Sequence, residues 1–273
     1  MNLDISCYQQ LLTFYSEQNT FKAQLCLSTS ALHSLKKEAT HFLTAEEQDY
    51  FSTLLYECHQ HSYLLGRYCA KQAAANYNNL PITQLHNIQI KAGIFQQPLI
   101  QGKNISNTQI TLSHCDDLAI ALAFPDTIIL GIDLETIKPH KATTMQSQMT
   151  AFELDIVKQL FPTTKFTLSL ALLWTVKEAL SKALRVGLTI PFEMLAIETI
   201  QAKNHVWISE FQHFMQYQAV SFQLDEFICS LVFPKSLQCV IDIMAIQCWL
   251  NTQLNLNDSV NQSPIYLQTN IHA

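Results

Sequence analysis

Glycine is scarce in this chain, five residues in 273, and none is set in a Gly-x-x-x-x-Gly-Lys loop or a kinase-type glycine loop. Two familiar backbone cradles for nucleotide phosphates are thereby excluded. Charge is thin as well, with 14% charged residues and a formal net charge of −6. A general nucleic-acid binder, which neutralises phosphates with lysine and arginine, does not fit that balance. No apolar run approaches the roughly 18 residues that span a bilayer. Met1-Asn2-Leu3-Asp4 offers neither a basic n-region nor an apolar h-region. These absences predict a cytoplasmic protein with no membrane association. The eight cysteines contain no Cys-x-x-Cys pair, and Cys7, Cys26, Cys58, Cys69, Cys229 and Cys239 mostly have apolar neighbours. Reduced core thiols are expected rather than disulfides or zinc ligands. Hydrophobic residues, by contrast, make up 48% of the chain, ample for one large domain or two small ones.

Two short stretches carry the chemistry: Gly131-Ile132-Asp133-Leu134-Glu135, and Trp174-Thr175-Val176-Lys177-Glu178-Ala179-Leu180-Ser181-Lys182. Alternate residues of a strand face the same way, so Asp133 and Glu135 project together, and Trp174, Glu178 and Lys182 share about 80° of helix arc. Aspartate is poorly suited to strands, and Glu178 with Lys182 alone reads as a weak surface ion pair. Trp174 on the same side implies a largely buried face, where charges usually serve a site. Three carboxylates near a lysine suit Mg²⁺, which takes one or two carboxylates and completes its shell with water and phosphate oxygens. Phosphoryl transfer is the chemistry indicated.

Along the chain, Tyr8, Leu11, Leu12, Phe14 and Tyr15 predict an N-terminal extension over residues 1–20 with an extra helix. A strand is expected at Ala23 to Ser28. The Thr44/Glu47 capping box opens a helix running to about Ala75, and Pro81 closes that region. Strands follow at Ile88 to Lys91, Pro98 to Ile100, Gln109 to Ser113, Leu118 to Phe124 and Ile128 to Leu134, the last two as a hairpin turning at Pro125-Asp126-Thr127. A second capping box, Thr150/Glu153, precedes another helix, and Leu168 to Arg185 is the strongest helical segment, stopped by Gly187. An ungapped echo places Asp116-Asp117 on Asp225-Glu226, Phe124-Pro125 on Phe233-Pro234, and Ile132-Asp133-Leu134 on Ile241-Asp242-Ile243. It suggests a repeated strand-hairpin unit. The copies differ where chemistry would sit: Ser113, His114 and Glu135 fall on Phe222, Gln223 and Met244. The segment after Ile246, rich in Asn and Gln, reads as a weakly ordered tail.

Gly-Ile-Asp-x-Glu followed by Trp-Thr-x-Lys-Glu-Ala-x-x-Lys resembles the signature of 4′-phosphopantetheinyl transferases, and the length resembles their large, monomeric, surfactin-synthetase-activating class, which activates peptide and polyketide synthases. Leu43 to Glu47 followed by Leu64 to Lys71 resembles the family's first long helix and Leu112-Ser113-His114 its Ser-His element, so the resemblance covers roughly residues 21 to 235. It implies an α+β fold of two pseudo-symmetric, sandwich-like α/β halves with the active site in the cleft between them. The halves are expected at 21–135 and 136–246, with a tail at 247–273. The implied reaction moves phosphopantetheine from coenzyme A to an acyl, peptidyl or aryl carrier protein. Mg²⁺, or Mn²⁺, would sit on Asp133, Glu135 and Glu178, and Lys182 would stabilise the leaving phosphate. Glu178 or Glu153 would take the serine proton, although Thr150 also explains Glu153 as a capping acid. Arg67 and Lys71 are implied ligands of the 3′-phosphate, or else solvated charges. Ser113 and His114 are implied phosphate contacts, or else the start of a turn. One departure stands out: Phe95-Gln96-Gln97-Pro98 replaces the family's Phe-Gly-Lys-Pro, removing a glycine and a cation. Lys138, His140, Lys141, Lys158 and Lys165 offer either a positive rim for an acidic carrier or ordinary solvated charge, and Phe152 and Phe161 offer either docking area or core.

Overall fold

A computed structural model describes residues 3–161, 165–203 and 205–254. The chain is mixed helix and sheet and divides into two compact units, residues 1–128 with 239–241, and residues 129–238 with 242–273. Among the described residues no helix is long and apolar enough to cross a membrane.

The first unit contains β1 (Ser6–Tyr15), β2 (Thr20–Thr29), α1 (Leu32–Phe42), α2 (Ala45–Ser52), α3 (Glu57–Tyr77), β3 (Ile88–Ala92), β4 (Pro98–Gly102), β5 (Thr108–Cys115) and β6 (Leu118–Pro125). With β12 (Gln238–Val240) they form a five-stranded sheet ordered β12-β1-β2-β6-β5 and a separate β3-β4 hairpin. α3 packs on β2, β5 and β6. Small residues make that approach close: Ala119, Ala121 and Ala123 of β6 share a core cluster with Ala70, Ala73 and Ala74 of α3.

The second unit contains β7 (Gly131–Thr136), α4 (Ala142–Ser147), α5 (Ala151–Leu160), α6 (Phe166–Leu184), β8 (Ile197–Lys203), β9 (Val206–Phe211), β10 (Tyr217–Leu224), β11 (Phe227–Pro234) and α7 (Ile243–Gln253). Its sheet is ordered β7-β11-β10-β9-β8, and α6 packs on β7, β10 and β11. The β5/β6 and β10/β11 hairpins match in dimension, eight residues on each side of a two-residue turn. Each turn starts on an aspartate at φ 51°, Asp116 and Asp225, a residue that tolerates the left-handed region better than most.

One polar arrangement recurs atom for atom. In the first unit Thr44 caps α2 by accepting from Glu47 N at 3.3 Å, and Glu47 Oε2 accepts from Thr44 N at 2.9 Å. Glu47 also accepts from Ile90 N at 3.1 Å and from Lys71 Nζ, which donates again to Phe42 O at 2.6 Å. In the second unit Thr150 accepts from Glu153 N at 3.2 Å, and Glu153 accepts from Thr150 N at 2.8 Å, Ile197 N at 2.9 Å and Lys177 Nζ at 2.7 Å. Lys177 donates again to Gln148 O at 3.2 Å. Both lysines are 0% exposed. Each latch ties a short capped helix to a long helix and a strand, and it answers every charge that burial strands.

Several expectations are corrected. Residues 6–15 are not an extra helix but a strand fully paired with β2; Tyr, Phe and Thr suit a pleated surface, and a short apolar run does not separate the two states. The helix from Thr44 breaks at residues 53–56, where Ser52 and Thr53 hydroxyls donate to Asp49 O and Tyr50 O and end the first piece. β6 and β7 are not a hairpin, because β6 already has β2 and β5 as neighbours, and β7 pairs with β11 instead. The units therefore part at Ile128/Ile129 rather than after Glu135, so the strand bearing Asp133 and Glu135 belongs to the second. α6 ends on Arg185 in the left-handed conformation at φ 60°, two residues before Gly187. The tail begins as α7, and its residues 255–273 lie outside those described.

Candidate active site

β7 lies against α6 with almost no space between them. A side chain at Gly131 would run into the Ala179 carbonyl and the Ala183 amide, so only glycine allows this approach. Two residues on, Asp133 is 3% exposed, and its Oδ1 accepts from Lys182 Nζ at 2.6 Å. Glu135, next on the same face of β7, accepts from Lys141 Nζ at 2.8 Å. Glu178 stands one helical turn before Lys182. Its carboxyl is pushed up to about 7, first by burial, then by the charge of Asp133, with Glu135 adding to the rise and Lys182 opposing it. Three carboxylates thus feel one another's charge around two lysines.

Behind this face the strand pair is held by hydroxyls. Asp133 is opposite Ser230 in the β7/β11 register, and Ser230 Oγ joins Thr175 Oγ1 at 2.8 Å and Ser221 Oγ at 2.7 Å. These bonds fix the α6 face on which Glu178 and Lys182 are carried. Among the described residues, no three His, Cys, Asp or Glu side chains converge closely enough to hold a metal ion as they stand. Asp133 and Glu135 are instead engaged by ammonium groups.

The other expected site residues separate into two kinds. Glu153 is fully buried in its latch, both oxygens taken by Thr150 N, Ile197 N and Lys177, so the structure forms the capping box and leaves no open side for a substrate proton. Lys71 is equally withdrawn, its ammonium on Glu47 and Phe42 O rather than at a phosphate-facing surface; burial holds it down at about 8. Burial likewise depresses Lys177. Arg67 keeps 21% of its side chain exposed, with Nε 3.6 Å from Glu47 Oε1 and its guanidinium 4.7 Å over the Tyr63 ring. Ser113 is buried near the end of β5, while His114 is exposed and passes 3.4 Å from where a Cβ on Gly66 would lie. Those three residues belong to the first unit. At Gln97, which replaces the family lysine, Oε1 accepts from Phe95 N at 2.9 Å, so the side chain closes its own turn.

Two features escaped sequence reasoning. In the sequence Lys141 reads only as rim or solvated charge, not as the partner of Glu135. The latch was not assembled either, though its signal was present: both capping boxes are followed by a lysine 24 residues after the glutamate.

One comparison with known families covers this face. Residues 129–232 match the model of the 4′-phosphopantetheinyl transferase superfamily. The matched segment runs from just before β7 to near the end of β11, and it contains Asp133, Glu135, Glu178 and Lys182. It supports a transferase of phosphopantetheine in general. Arg67, Ser113 and His114 lie outside the matched segment. No curated protein matches the chain.

Proposed function

We propose that this protein transfers the 4′-phosphopantetheine arm of coenzyme A to a serine hydroxyl of an acyl, peptidyl or aryl carrier protein, as a monomer of the large class that serves peptide and polyketide synthases. The observation that carries the reading is the Asp133–Lys182 pair at 2.6 Å with Glu178 charge-coupled to both β7 carboxylates, all inside the matched domain. Asp133, Glu135 and Glu178 fit Mg²⁺ by donor chemistry, being hard oxygens of like sign beside the ammonium groups of Lys182 and Lys141. A magnesium or manganese ion held there would supply neutralisation of charge on the coenzyme A pyrophosphate.

The chain's own residues do the rest. The serine Oγ bonds to the phosphorus that carries pantetheine, the bond from that phosphorus to the bridging oxygen breaks, and adenosine 3′,5′-bisphosphate leaves with the electron pair. Glu178 takes the serine proton directly or through water. Lys182 stabilises the charge that gathers on the leaving phosphate. Arg67, Ser113 and His114 are the proposed contacts for coenzyme A phosphates; Lys71 and Glu153 drop out of the chemistry as latch members.

A catalytically silent binder of coenzyme A or a carrier protein is favoured by one observation, the missing cation at Gln97, whose amide serves its own hairpin. Turnover separates the two readings. Purified protein incubated with coenzyme A, Mg²⁺ and a panel of apo carrier proteins is expected to add a phosphopantetheine-sized mass to at least one carrier, and a chelator should abolish the addition. Coenzyme A binding with no mass increase across a broad panel would leave the silent binder.

A further inference from the structure

The two lysines of the site are not equivalent. Lys182 projects from α6 and pairs at 2.6 Å with a carboxylate whose side chain is 4% exposed. Lys141 comes from the short turn Pro139–Lys141 before α4, and it pairs at 2.8 Å with a carboxylate that is 21% exposed, while its own side chain is 30% exposed. The two ammonium groups are similarly exposed, Lys182 at 26%, but the carboxylate of the first pair is desolvated, and separating that pair would strand a buried charge. The second is wet on both sides, and an ion pair of that kind is worth little and is readily exchanged. An ammonium on a flexible four-carbon stem is also well hydrated once released.

Without Lys141, β7 and α6 would present three carboxylates against one lysine. With it, two lysines face the three carboxylates. We propose that Lys141 is a positioning residue that acts as a tethered counter-ion: it holds Glu135 in the absence of a divalent cation, must release it when the cation binds, and so sets the cation affinity of the site. This rests on the reading of Asp133, Glu135 and Glu178 as the cation ligands. The cation replaces the ammonium at Glu135, while the Asp133–Lys182 pair is the more costly one to open. The exchange also frees a basic side chain beside Lys138 and His140 only when the site is charged.

The test titrates the full chain with Mn²⁺ alone, followed by calorimetry and by the loss of the free-ion paramagnetic resonance signal, in the wild type, Lys141→Met, Lys141→Arg and Asp133→Asn. Lys141→Met should tighten Mn²⁺ binding by about 3- to 5-fold, the upper end of what one exposed ion pair is worth. Lys141→Arg should stay within about twofold, since it keeps the charge, and Asp133→Asn should abolish binding. If Lys141→Met binds as the wild type does, or more weakly, while Asp133→Asn abolishes uptake, the counter-ion role is wrong and the cation site stands. If the wild type takes up no Mn²⁺, or Asp133→Asn binds it undiminished, the cation site itself is wrong and the counter-ion role falls with it.

Discussion

In the first unit Thr44, Glu47 and Lys71 bind one another and the Ile90 amide; in the second, Thr150, Glu153 and Lys177 do the same with the Ile197 amide, using the same atoms. The correspondence continues through the long helices. After α3 the chain turns through Asn79 in the left-handed conformation, with Leu80 N donating to Ala75 O; after α6 it turns through Arg185, with Val186 N donating to Ser181 O. It continues into the sheets. Cys26 of β2 is opposite Ala121, and Asp133 of β7 is opposite Ser230, the same place in two hairpins of equal length. By these registers Cys26, Ser28, Gln72 and Asn76 stand in the first unit where Asp133, Glu135, Glu178 and Lys182 stand in the second. Positions that agree hold the fold, and positions that differ are those to which the chemistry has been assigned. By this internal control Lys177 is architecture, although it adjoins Glu178 in the motif, and Lys182 is not.

The comparison breaks first, and hardest, at the latches. Glu47→Ala and Glu153→Ala should each cost about 3–5 kcal/mol of unfolding free energy, because each leaves a buried ammonium alone. A Glu153→Leu, Lys177→Met double variant should recover much of that loss in a urea titration. If Glu153→Ala kept its unfolding midpoint but lost turnover, Glu153 would act on substrate and the two units would not be alike there. Next, Asp133→Ala should lower transfer by about 10³-fold with the unfolding midpoint little changed, whereas Cys26→Ala at the matching place should leave turnover within about threefold. Single-turnover mass measurements on both variants decide whether the asymmetry is chemical.

A smaller effect is read from pH. The Glu178 carboxyl is raised to about 7, so the folded state holds that proton more tightly than the unfolded chain does. Its contribution to stability is complete below the ordinary carboxylate range and is lost as pH rises through about 7. Glu178→Gln, which gives the second unit the residue that Gln72 already provides in the first, should flatten this fall and gain on the order of 1 kcal/mol at pH 8 in chelator. An unchanged slope of urea midpoint against pH would show that the carboxylates do not share one field. Smallest is Arg185→Gly, expected to stabilise by about 0.5–1 kcal/mol, since a non-glycine residue holds a left-handed helix cap there. Thermal midpoints check it.

What sequence could and could not convey follows from range. Both capping boxes were legible because Thr and Glu three residues apart settle a helix start locally. The Asp133/Glu135 alternation and the α6 motif were legible for the same reason, since strand and helix periods fix them without knowledge of partners. The β6 and β7 pairing was not, because which edge a strand finds depends on whether its neighbours are already filled. Tyr8 to Tyr15 misled because a short apolar run is ambiguous until a pairing strand is known. Lys71 looked like a solvated helix charge beside Arg67, and its partner is a glutamate 24 residues away. Only the repeated spacing at Lys177 carried that contact in one dimension.

The strand β12 has a bearing on how the protein is made. The chain leaves the first unit at residue 128, builds nearly all of the second, and returns at residues 239–241 to lay the outermost strand beside β1. During synthesis β1 is therefore left as an unpaired edge of the N-terminal sheet until residues 238–240 have been made, and its last hydrogen bonds wait for residues that emerge after the strands of the second sheet. A fragment cut cleanly at residue 128 would carry every helix of the first unit and still lack an edge, and genetic dissection of the two halves would need β12 grafted back beside β1.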